Sequence, residues 1–182
     1  MQDQAEAITE AGSNRRVALL IAAMALALAL TEVAGDDAKT EAQIRNVEGA
    51  NLWAFFQAKT VRQTMLRGMS EMLPLLDAKD GREAEAERLL ERWQATIQRW
   101  ETEPETNEGR RELMARAKQS EAARDTAMWR DSRFDTASAA LQVGIVVASA
   151  AIITGTGALV WAGAALGAAG ALLSLATYLG VA

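Results

Sequence analysis

The chain has neither cysteine nor histidine among its 182 residues, only two prolines, and few aromatic residues, at 5%. Without Cys or His it can offer no thiolate nucleophile, iron–sulfur cluster, ordinary zinc site, His-ligated haem or imidazole base. The lack of Cys leaves the redox compartment open, because there is no disulfide to read. Pro74 and Pro104 stand where helices are expected to end. Such scarcity suits long helices, since proline removes an N–H and clashes with the preceding turn. The last 47 residues, Thr136 to Ala182, also lack any Lys, Arg, Asp or Glu, although these make up 24% of the chain.

What is present is sharply segregated, and the chain-wide mean hydropathy of −0.02 conceals it. The charge-free block is rich in Ala, Leu, Val, Ile and Gly and is long enough for two crossings of a hydrocarbon layer, at roughly 20 helical residues each. A further apolar run from Val17 to Ala34 follows Arg15 and Arg16. The pattern predicts transmembrane helices over 17–34, 137–154 and 158–179, with Gly155 to Gly157 as a tight turn joining the last two as a hairpin. A cleaved signal peptide is the competing reading of the first run. It is disfavoured by Asp3, Glu6 and Glu10 in the polar tail of residues 1–16, and by the later hydrophobic pair.

Residues 35–136 hold the remaining charge. Between Gly35 and Asp135 lie 17 Lys and Arg and 20 Asp and Glu, with the signs interspersed. That pattern is a solvated helical surface rather than a nucleic-acid footprint, which needs a net basic patch. Helices are expected over 38–73, 82–103 and 106–136, the last entering the membrane unbroken, with Asp77 to Gly81 as a turn. In the first of these, 3,4 spacing selects Ile44, Val47, Asn51, Ala54, Ala58, Val61, Met65, Gly68 and Met72, a heptad seam with a polar Asn51 to set register. Leu52, Phe56, Leu66 and Leu73 form a second stripe on another face. The middle segment is therefore expected to be an elongated helical, coiled-coil stalk.

Four features are candidate sites. The seam residues Ile44, Val47, Asn51, Ala58, Val61 and Met65, with Trp53, Phe55 and Phe56, suit an interface between chains, where aromatic residues are favoured. The alternative for the aromatics is an internal core completed by Trp93 and Trp100. Gly144, Gly163, Gly167 and Ala171 are small residues at close-packing spacing, suited either to association of several chains or to packing within one three-helix unit. Glu32 is the only ionisable side chain in an expected span, either an anchor at the headgroups or a proton- or ion-handling site. Gln142 is the other polar candidate, suited to hydrogen bonding across helices. The carboxylates from Glu83 to Glu108 lie among arginines, as on an exposed helix laced with ion pairs, so no catalytic, metal or cofactor site is expected there.

The segment NLWAFFQAKTVRQT, Asn51 to Thr64, preceded by TEAQIRNVEGA and a short apolar span and followed by an apolar hairpin, resembles the bacterial family known as domain of unknown function 4337. The likeness covers nearly the whole chain from Arg16. It implies a small membrane protein with a span, a stalk and two further spans, and brings no agreed activity.

These readings converge on an all-α, non-enzymatic membrane protein that self-associates as a scaffold through its stalk and small-residue transmembrane contacts. The expected partners are the lipid bilayer, copies of itself and other membrane proteins, and not nucleic acid. Two alternatives stand beside it: a channel or transporter component using Glu32, and an accessory subunit of a larger membrane complex. A multi-pass location in a bacterial inner membrane follows from the resemblance. Lys39, Arg45, Arg124, Arg130 and Arg133 outnumber Arg15 and Arg16, which puts the stalk on the cytoplasmic side.

Overall fold

The computed structural model describes the backbone of residues 2–77 and 83–181, and the side chains of residues 14–75 and 83–181. Among them are four helices and no strand: α1 (Gln2–Asp77), α2 (Glu83–Glu101), α3 (Arg110–Thr154) and α4 (Gly157–Tyr178). The turn expected over Asp77 to Gly81, and the expected helix start at Arg82, fall outside the described residues apart from Asp77, which ends α1.

Expected and observed helices differ by more than one residue at four places. The run over 17–34 and the helix over 38–73 are one helix, which also includes the backbone of the polar tail from Gln2. Gly35 does not interrupt it, because a missing side chain costs a helix only about 1 kcal/mol relative to Ala. Here the gap is filled: a Cβ at Gly35 would stand 3.3 Å from the Phe134 Cβ. Pro74 lies inside α1 rather than at its end. So close to the C-terminus it removes one hydrogen bond and the helix ends at Asp77, within the same turn. α3 begins at Arg110 rather than 106. Asn107 takes a left-handed φ of 56°, a conformation Asn tolerates better than most residues, and the chain keeps turning until Gly109. α2 ends at Glu101, ahead of Glu103. The last connection is as short as expected: Gly155, at φ 67°, ends α3, and α4 starts at Gly157.

The chain divides into two compact units. The terminal unit comprises Met1–Ala42 and Asp125–Ala182, and the middle unit comprises Gln43–Arg124. In the terminal unit, α3 and α4 run antiparallel, with Ala148 and Gly144 against Gly163, and Leu141 and Ala137 against Gly170. α1 lies beside both. Met24 meets Gly167, the Thr31 hydroxyl lies 2.9 Å from the Ser174 hydroxyl, and Glu41 pairs with Arg130 at 2.6 Å. Val17, Met24, Leu141 and Ala148 form its core, with Leu20, Ile21 and Ile145 around them.

The middle unit packs α2 and the first turns of α3 against α1. Its core is Leu52 of α1 with Leu113 and Ala117 of α3, and Trp53 and Phe56 close over it.

Candidate interaction surfaces

In the middle unit α1 carries two heptad seams. The inner one starts at Arg45, Gly49, Leu52 and Phe56 and continues through Lys59, Gln63, Leu66, Ser70 and Leu73, spaced alternately four and three. Every one of these is buried or half-buried. The outer one is the seam read from the sequence. All of its residues from Ile44 to Met72 are exposed, except the half-buried Gly68. At 100° per residue the two seams are centred about 150° apart, nearly opposite faces of one helix.

The inner seam is held by polar contacts as much as by apolar ones. Gln63 is 1% exposed; its amide nitrogen donates to the Ile97 carbonyl and to Glu101 Oε2, each at 3.1 Å, and its oxygen accepts from Arg110 Nη1 at 2.6 Å. Arg110 also reaches Glu101 at 2.9 Å and stacks over the Phe56 ring with its guanidinium carbon 5.1 Å from the centroid. One amide and one ion pair thus tie all three helices together. The hydrogen bond from Gln63, assisted by the charges of Arg110 and Arg111, holds the Glu101 carboxyl below its usual range against the opposing effect of burial. Lys59 extends the network to the Glu108 carbonyl and to Glu103, the latter at 3.6 Å.

The aromatic motif is split between the two faces. Trp53 and Phe56 meet edge to face at 5.4 Å, and Trp53 Nε1 donates to Glu121 of α3 at 2.8 Å. The rest of that core comes from Leu113 and Ala117, while Trp93 and Trp100 are half-buried in α2. Phe55 points the other way and is 64% exposed. Ile44 and Met65 on the outer seam are 61% and 66% exposed, and Val47, Val61 and Met72 are similarly bare. Asn51 and Ala58 lie on the same exposed face.

In the terminal unit the small residues are spent inside the chain. A Cβ on Gly144 would stand 2.9 Å from the Gly163 carbonyl oxygen, and one on Gly163 would stand 2.8 Å from the Gly144 oxygen. Gly167 faces the Met24 side chain, and Ala171 packs on the same core. All of these contacts lie within one chain.

Glu32 and Gln142 are brought together, with Gln142 Nε2 donating to Glu32 Oε1 at 3.4 Å. They line a cleft of about 420 Å³ with Asp36, Lys39, Asp131 and Asp135. The three aspartates escaped the sequence reading. Their signal was there: 32 and 36 on α1, and 131 and 135 on α3, are each one helical turn apart.

The described residues define an all-helical protein with three helices long and apolar enough to cross a membrane. The chain belongs to the family described as Domain of unknown function (DUF4337), which it matches over residues 13–180. No curated protein and no solved structure matches it.

Proposed function

We propose that this is a non-enzymatic, multi-pass membrane protein that self-associates as a scaffold, with its middle unit on the cytoplasmic face of a bacterial inner membrane. The outer seam carries the reading: an apolar stripe over Ile44 to Met72 is left bare while the opposite face of the same helix is filled. A soluble monomer seldom leaves such a patch unpartnered.

Insertion through α1, α3 and α4 is supported by what the terminal unit exposes. Leu26, Leu30, Val143, Val146 and Leu172 face outward, which suits lipid and not water. Trp161 and Tyr178, 80% and 76% exposed, stand near opposite ends of α4. Their separation of 17 residues spans about 25 Å, close to the thickness of a hydrocarbon layer flanked by aromatic belts. With the glycines consumed inside the chain, association rests on the middle unit. Light scattering on the detergent-purified protein should give a mass of at least two chains; a strict monomer would sink the reading.

The Glu32–Gln142 contact favours a second reading, a channel or transporter component. Reconstituted conductance that falls in Glu32→Gln would support it, and conductance indifferent to that change would remove it.

A further inference from the structure

We propose that two copies of this chain pair in parallel and in register along the outer seam of α1, the two Asn51 side chains meeting across the two-fold axis. This rests on the self-association proposed above and names its stoichiometry, face and direction. Copies inserted through the same spans share one orientation, so their α1 helices approach head to head rather than head to tail.

The seam fits a copy of itself. In heptad terms Ile44, Asn51, Ala58, Met65 and Met72 occupy one core column, and Val47, Ala54, Val61 and Gly68 the other. The small residues in both columns let two backbones approach closely. A lone Asn in a core column favours two strands and one register, because only there does its amide find the partner amide. The flanks agree. Parallel pairing sets each residue before the first column against one five positions later in the partner: Gln43 against Glu48, Ala50 against Phe55, Gln57 against Arg62, and Thr64 against Met69. No pair sets like charges together. Phe55 and Met69, exposed on the isolated chain, would be covered.

The native chain has no cysteine, so single introduced thiols report without background. Ile44→Cys and Met72→Cys mark the two ends of the seam, roughly 42 Å apart along the helix. Arg67→Cys, exposed on neither seam, is the control. Each full-length variant is purified in detergent, oxidised mildly and read on a non-reducing gel alongside light scattering. The proposal expects Ile44→Cys and Met72→Cys each to give a disulfide-linked dimer, roughly tenfold above Arg67→Cys, because only facing residues reach bonding distance. Cross-links that form only when Ile44→Cys and Met72→Cys are mixed would mean antiparallel pairing and overturn it. End variants no more cross-linked than the control, in a sample that still scatters as an oligomer, would overturn the seam and leave self-association standing. A monomer would remove both.

Discussion

One helix, α1, shows two heptad seams of equal length between Ile44 and Leu73, and only one of them is filled. The filled seam is the more polar of the two: Arg45, Lys59, Gln63 and Ser70 sit among Leu52, Phe56, Leu66 and Leu73. The bare seam is the more apolar, with Asn51 as its polar core position. That is the reverse of what burial by hydrophobicity alone would give. The difference shows that α2 and α3 capture their face of α1 by matching polar groups, Gln63 to Glu101 and Trp53 to Glu121, around a small Leu52–Leu113–Ala117 centre. The plain apolar face is the one that α2 and α3 leave uncovered.

This contrast can be tested by cutting into each face. Leu52→Ala should cost the most, about 2–4 kcal/mol of middle-unit stability measured by denaturant titration, because Leu52 is 6% exposed at the centre of that core. Gln63→Ala should cost somewhat less, about 1–3 kcal/mol, by leaving Arg110 and Glu101 with one buried partner fewer. The same network gives a pH dependence. The folded carboxyl of Glu101 is held below its ordinary range, so its contribution is present above that range and is lost as pH falls through the lowered value. Melting temperature should therefore drop on the acid side, and by less in Gln63→Ala than in the unaltered protein. On the bare face, Val61→Asp should change the stability of the single chain least of all, within about 0.5 kcal/mol. Its effect should appear in the scattering mass, which should fall toward one chain. If Val61→Asp unfolds the middle unit instead, the outer face is not free.

Much of the architecture was legible in the sequence, because apolar blocks and scarce proline leave few alternatives to long helices. The outer seam was legible for the same reason: its residues are mostly apolar at strict spacing. The inner seam showed only Leu52, Phe56, Leu66 and Leu73, since its Lys59 and Gln63 read as surface until the carboxylates and carbonyls that receive them are in place. Spacing sets Phe56 beside Leu52, but that Trp53 turns inward with it depends on partners about 60 residues away, Leu113 and Glu121, of which local spacing holds no trace. The continuity of α1 through Gly35 escaped because a glycine reads as a break unless the filling side chain, Phe134, is known.

The glycines shared by α3 and α4 set a limit on how this chain can diversify. At Gly144, Gly163 and Gly170 the space for a first carbon is already taken by the opposite backbone, so even alanine must push the hairpin apart. Neighbouring Val143, Val146 and Leu172 face outward and can exchange freely among apolar letters. Divergence in this hairpin is therefore channelled: the composition of its outer surface can drift, whereas its helix spacing is locked to three positions that accept a single amino acid.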